Sequence, residues 1–307
     1  MASGSDTSGA PKERPAAIRA LLDAGLKNLL NDADLDRFAL RILGRKGGPS
    51  ALAPWARGLL KEDPKFVEGL RNVHQLVMRS RYLTDFMATR ANAEWLEDPR
   101  FIAAYAAAAD ISVWGVDIRW RVYNLLEAAE IGSRLPGAFV ECGTDRGGTA
   151  MAVMTWLGDA AFADRTFYLF DTFEGFAEDL RTDRERERTR LPEGRYSPTY
   201  DLVCKTFAER DYVRIVPGAV PQTLTAFEPG PVAFLHIDMN AAQPEADALE
   251  FFWPHLLPGA PVVFDDYGFP YHDEQKKTLD SLAERLGVRI ILMPTGQGML
   301  IRPNTPD

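Results

Sequence analysis

The chain has 307 residues, 46% hydrophobic and 26% charged, with a formal net charge of -9. That apolar share supports a sizeable core, and the acidic balance argues against nucleic acid or an anionic membrane surface as the main partner, because both call for a basic face. Two cysteines, Cys142 and Cys204, give neither a disulfide framework nor zinc-ligand spacing.

The N-terminal stretch MASGSDTSGAPKERP lacks the apolar run of a signal peptide and reads as a disordered tail over residues 1–14. No apolar run of about 18 residues predicts a membrane span, and unpaired thiols fit a cytoplasmic setting. Residues 15–135 read as helices. Ile18, Leu21, Leu22, Leu26, Leu29 and Leu30 recur at helical spacing. DADLDRFALRILG comes next, and PKFVEGLRNVHQLVMRSRYLTDFMATRANAEW continues the texture. DIRWRVYNLLEAAEIG is the last helix before the pattern changes at Gly137. The helical region either covers the substrate side of the C-terminal part or joins two copies of the chain.

From Gly137 onward short apolar runs alternate with helical segments. The runs are 137–143, 166–171, 213–218, 232–238 and 260–266, with helices over 149–160, 200–210, 245–259 and 273–287. RIILMPTG and QGMLIRP close the chain as a hairpin. Alternating strands and helices predict an α/β fold with a mostly parallel sheet. Continuous apolarity along the runs fits strands buried on both faces. The charged segment 177–200 reads either as a solvated loop or as a lid over the strand ends.

In such sheets ligands bind beyond the carboxyl ends of the strands, so the residues there carry the functional reading. The first run ends VECGTDRGGTA: Glu141 and Gly143 close the strand, and Gly147 and Gly148 open a helix. Glycines admit a close ligand and a helix N-terminus favours negative groups. Asp145 stands where a dinucleotide fingerprint has its second glycine, which disfavours a pyrophosphate. S-adenosylmethionine, with a carboxylate, an ammonium and a sulfonium, suits an acid-plus-glycine turn better. Asp171, ending the second run in LFDTFEGF, stands where nucleotide-binding folds accept a ribose diol. A helix cap is its plain alternative. Phe173 and Phe176 wall an adenine or belong to the core, and Gly218 lets backbone approach the same ring.

The fourth and fifth runs end on Asp238, with Asn240 beyond it, and on Asp265 and Asp266. In a parallel sheet these acids converge at one edge. Three carboxylates are hard oxygen ligands suited to Mg²⁺, Mn²⁺ or Ca²⁺. Without a cation, like charges so close push at least one pKa upward. Caps and salt bridges are the alternatives.

Taken in order, GAFVECGTDRGGTAMAV, FYLFDTFEGF, VRIVPGAVPQTL, VAFLHIDMN, PVVFDDYGFP and GQGMLIRP resemble the macrocin O-methyltransferase family over about residues 110–303. The resemblance implies a Rossmann-like class I methyltransferase domain over 136–307, S-adenosylmethionine as cofactor, Mg²⁺ or another divalent ion, and a sugar or natural-product hydroxyl as acceptor. Metal ligands then fall on Asp238, Asp265 and Asp266, with Asp238 the first choice for catalytic base and His236 and His272 as alternatives. Cofactor contacts fall on Glu141, Cys142, Gly143, Thr149, Asp171, Thr172, Phe173, Gly218 and Asp238, and SVWGVDIRW closes over the cofactor's methionine end. Many members of the family carry an acid where this chain has Asn240. Ala241 stands where catechol-type enzymes place a lysine base. An inactive binding protein on this fold and a nucleotide-dependent oxidoreductase are the alternatives.

Overall fold

The computed structural model describes residues 82–84, 87–89, 91–188, 198–270 and 272–304. The readings of residues 1–81 and of the middle of the charged segment lie outside the described residues. The chain divides between Ala93 and Glu94 into two units. In the first, β1 (Tyr82–Thr84) pairs antiparallel with β2 (Met87–Thr89). The helical texture predicts a helix there. Tyr82, Thr84 and Thr89 are aromatic or β-branched and prefer a pleated strand, which corrects the helical reading over this stretch.

The second unit opens with α1 (Pro99–Ala109). Pro99 takes the first helical position and Asp98 caps it, accepting the Arg100 N–H at 2.8 Å. Helix α2 (Arg119–Ser133) comes after it. Strand β3 (Ala138–Cys142) then leads into α3 (Gly148–Leu157), and β4 (Phe167–Asp171) into the short α4 (Asp183–Arg188) and α5 (Tyr200–Thr206). Next come β5 (Val213–Pro217), β6 (Val232–Ile237), α6 (Ala242–Phe252), β7 (Pro261–Phe264), α7 (Asp273–Arg285), β8 (Ile291–Leu292) and β9 (Gly298–Ile301).

The seven strands lie in the order β5-β4-β3-β6-β7-β9-β8. The first five are parallel, and the closing hairpin adds two antiparallel strands at the edge. All of β6 and β7 is buried, as their unbroken apolar runs require. Phe139, Phe234 and Val263 face one core with Phe101, Leu125 and Val153 of α1, α2 and α3. Val140, Leu235 and Val262 face a second core with Leu249 and Phe252 of α6 and Leu279 and Leu282 of α7. Burying each such side chain contributes about 1.5–3 kcal/mol. Strand order reverses between β3 and β6, so the connections leaving their paired carboxyl ends run to opposite faces of the sheet and open a crevice where ligands of such sheets bind. Among the described residues no helix is long and apolar enough to cross a membrane.

Candidate active site

The crevice holds a cavity lined by Ser112–Trp114, the turn after β3, the ends of β4 and β5, and Asp238 to Ala241 after β6. Its floor depends on missing side chains. Gly143 has φ +95°, and a Cβ there would lie 1.9 Å from the Asp238 carbonyl oxygen. A Cβ on Gly148 would lie 1.8 Å from Ser112 Oγ, so residues 112–114 cross directly over the start of α3. Asp145 adopts φ +47° without being glycine, a strained backbone of the kind found where a site dictates conformation.

That strain aims the Asp145 N–H at Asp171 Oδ2, 2.8 Å away, while the Phe173 N–H reaches Asp171 Oδ1 at 2.6 Å. Thr172 Oγ1 also lies 3.3 Å from Oδ1, and Oδ2 keeps a further lone pair for a ligand. Thr199 ties both turns to the start of α5: its N–H donates to the Phe173 carbonyl at 2.9 Å and its hydroxyl to the Asp145 carbonyl at 3.0 Å.

Of the residues singled out from sequence for the cofactor, Gly143, Thr149, Asp171, Thr172, Phe173, Gly218 and Asp238 line this cavity. Glu141 and Cys142 lie beneath it, at 1% and 0% exposure. Glu141 pairs across the β3–β6 register with His236, its Oε1 2.8 Å from His236 Nδ1. Cys142 packs in the second core; burial pushes its thiol well up, helped by the Glu141 and Asp171 charges, so it is a poor nucleophile.

The acids meet at the other end. One oxygen each from Asp238, Asp265 and Asp266 lie within 4.8 Å of one another. Burial, then the charges of Asp265 and Asp266, push the Asp238 carboxyl well above the usual carboxylate range, against the pull of Arg121. Asp265 moves the other way. Burial raises it, but Arg121, His236 and Gln297 together outweigh burial and hold it low. Arg121 Nη1 reaches Asp265 Oδ2 at 2.7 Å and Gln297 Nε2 reaches Oδ1 at 3.0 Å. His272 Nδ1 lies 3.6 Å from Asp266 Oδ2. Asn240, at φ +58°, points its amide at Asp238 Oδ1 at 3.4 Å.

Glu245 is a buried fourth acid that sequence reading passed over. Its Oε1 accepts from Gln275 Nε2 at 2.9 Å and from the Met239 N–H at 3.3 Å. Its Oε2 has no hydrogen-bond partner among the described residues. Burial and the nearby Asp266 push its carboxyl up to about 8. Arg121 was also missed, since arginines in the first turn of α2, where Arg119 stands too, give no signal of which one reaches the acids.

This donor set fits a divalent cation. Three hard oxygens converge, and burial together with the neighbouring carboxylates raises Asp238 and Glu245, a penalty that a divalent cation would relieve.

The matching family model, macrocin-O-methyltransferase (TylF), spans residues 67–282. The chain belongs to the macrocin-O-methyltransferase family. It is 32% identical over 160 residues to the 8-demethyl-8-(2,3-dimethoxy-alpha-L-rhamnosyl)-tetracenomycin-C 4'-O-methyltransferase of Streptomyces olivaceus, a match covering 48% of this chain and 60% of that protein. It is 28% identical over 162 residues to the mycinamicin III 3''-O-methyltransferase of Micromonospora griseorubida, covering 49% and 63% respectively. The chain thus spans about three-fifths of the length of these curated relatives. Among solved structures, the O-methyltransferase NovP superposes with a TM-score of 0.52 at 24% identity, over 60% of this chain and 80% of that one. At that identity the likeness speaks for the fold, which is the Rossmann-like arrangement built above.

Proposed function

We propose that this member of the macrocin-O-methyltransferase family transfers a methyl group from S-adenosylmethionine to a hydroxyl of a natural-product sugar, with a divalent ion, Mg²⁺ or a similar cation, at the acid trio. One observation carries the reading. Asp238 belongs both to the cavity that ends at Asp171 and to the trio with Asp265 and Asp266. A methyl donor in the cavity and an acceptor at the trio therefore share one boundary residue. The sugar acceptor is supported by the Streptomyces olivaceus relative, whose name describes a rhamnosyl-bearing tetracenomycin C.

When bound, the sulfonium supplies an electrophilic methyl and a divalent cation lowers the pKa of a nearby hydroxyl. The chain's residues supply the rest. The absent Cβ atoms of Gly143 and Gly148 let the start of the Asp238 loop and residues 112–114 close in around the cavity. Asp171, held by two backbone N–H groups, receives a ribose diol. With a cation at the trio favouring its ionised form, Asp238 would accept the acceptor's proton at a carboxylate oxygen. Asn240 has no proton affinity near neutral pH and instead orients Asp238 through its amide. His236 is occupied by Glu141 under the floor, which leaves His272, beside Asp266, as the alternative base. Holding donor and acceptor in line supplies most of the rate.

We assign residues 136–307 to the methyltransferase domain and 15–135 to an N-terminal region that precedes it. Within that region α1 and α2 pack on the sheet. The free thiols suit a reducing, cytoplasmic setting. Calorimetric titration with S-adenosylmethionine and with its demethylated product tests the reading. Micromolar binding of both is expected, and binding of neither would overturn it.

A further inference from the structure

We infer that Glu185 is a positioning residue whose one carboxylate joins the segment walling the ligand cavity to the loop that carries Asp238. The functional meaning rests on the methyltransferase reading above. The contact itself does not.

Glu185 sits in the most charged stretch of the chain, yet it is 1% exposed. Half of its carboxylate does local work. Thr182 Oγ1 accepts the Glu185 N–H at 3.2 Å, and Glu185 Oε2 accepts the Thr182 N–H at 2.9 Å. This is a capping box at the start of α4. The other half reaches far along the chain: Oε1 accepts the Ala242 N–H at 2.7 Å. Ala242 is the first residue of α6, and the residue before it, Ala241, has no side-chain oxygen to cap that helix. Glu185 therefore supplies both the missing acceptor and a negative charge at the positive end of α6.

Both partners of this bridge reach the cavity. On one side Phe176, Ala177 and Arg181 line it. The Arg181 guanidinium lies 4.1 Å over the Phe176 ring, and its Nη2 donates to the Glu185 carbonyl at 2.6 Å. On the other side Asp238, Asn240 and Ala241 line it. The ties of this segment to α7, Thr182 to Glu274 and Arg184 to Asp273, are exposed, where such contacts add little. A carboxylate that serves two helix starts at once makes the cavity wall and the Asp238 loop order together.

Amide hydrogen exchange on the ligand-free protein tests this, alongside Mn²⁺ affinity from paramagnetic relaxation. In E185Q one amide oxygen can serve only one of the two donors. Exchange over 176–188 and at the Ala242 amide should then speed up together by about tenfold, the loss expected for a charge-assisted bond. Exchange in α7 should not change, and Mn²⁺ should bind at least about fivefold more weakly. If E185Q fails to fold, A242P removes only the far donor. Proline is well accepted at a first helical position and Ala241 is already extended. A242P should speed exchange over 176–188 by a similar factor. The inference is overturned if 176–188 loosens while the Ala242 amide does not, if A242P leaves 176–188 unchanged, or if Mn²⁺ binds E185Q as tightly as the unchanged chain. Should the unchanged chain bind no Mn²⁺, the metal reading fails and the exchange arm alone decides on Glu185.

Discussion

At the β3–β4 end of the crevice, the Asp171 carboxylate is met by two backbone N–H groups that the turns hold in place. At the β6–β7 end, Asp238, Asp265, Asp266 and Glu245 crowd together with Arg121 as the cation tied to them, through Asp265. The first end is satisfied before any ligand arrives, so it can bind by shape and leftover lone pairs. The second end buries like charges together, and burial with that repulsion raises two of its acids. A methyl transfer needs both kinds of place: a fixed seat for the donor, and a strong local field where a hydroxyl must give up its proton.

Three substitutions sharpen this contrast. The largest effect should come from under the floor. Glu141→Ala leaves His236 buried without its partner and should cost about 3 kcal/mol of stability, read by urea denaturation. A loss below about 1 kcal/mol would mean the pair is not buried as described. Asp265→Ala comes next. It removes one ligand and frees Arg121 beside the other two, so Mn²⁺ affinity should fall about 100-fold or more, read by electron paramagnetic resonance. Unchanged affinity would place the metal elsewhere. Asp171→Asn turns an amide NH₂ toward a backbone N–H and should weaken S-adenosylmethionine binding about 30-fold, with Mn²⁺ affinity unaltered. If it weakened both equally, the two ends would not be separable.

Much of this arrangement was legible in the chain. The five apolar runs became the five parallel strands; β3, β4, β6 and β7 are apolar almost throughout because they are buried on both faces, while β5, at the sheet edge, admits Arg214 and exposed positions. The terminal acids met because parallel strands bring their ends to one edge. Two kinds of fact were not legible. Glu141 and Cys142 stand beside cavity residues in sequence, but strand alternation and the reversal of order at β3–β6 bury both in the sheet. Arg121, Glu185, Glu245 and Gln297 make contacts across long sequence separations, which leave no periodicity or spacing to read. The helical reading of 82–89 failed because local apolar spacing over so few residues does not separate helix from strand.

The pH dependence of stability reads the crowding of buried acids most directly. Glu245 has a native pKa raised from 4.5 to about 8. The native state therefore keeps a proton that the unfolded chain has released. Stability must fall as pH rises from about 4.5 to about 8, with a slope of at most about 1.4 kcal/mol per pH unit for one proton. Above that window both states are ionised and the slope from this group ends. Asp238, also raised, adds a contribution of the same sign. Glu245→Gln should remove about one proton's worth of slope between pH 5 and 8, measured by denaturant melts at each pH, and should leave the variant more stable than the parent at pH 8. Saturating Mn²⁺ should flatten the parent's slope in the same way, because a cation at the trio favours the ionised form of both acids. The ion should then have little further slope to remove in the variant. A parent slope that Mn²⁺ leaves untouched would mean that Glu245 and the trio do not share one field, and the contrast between the two ends would reduce to a matter of burial.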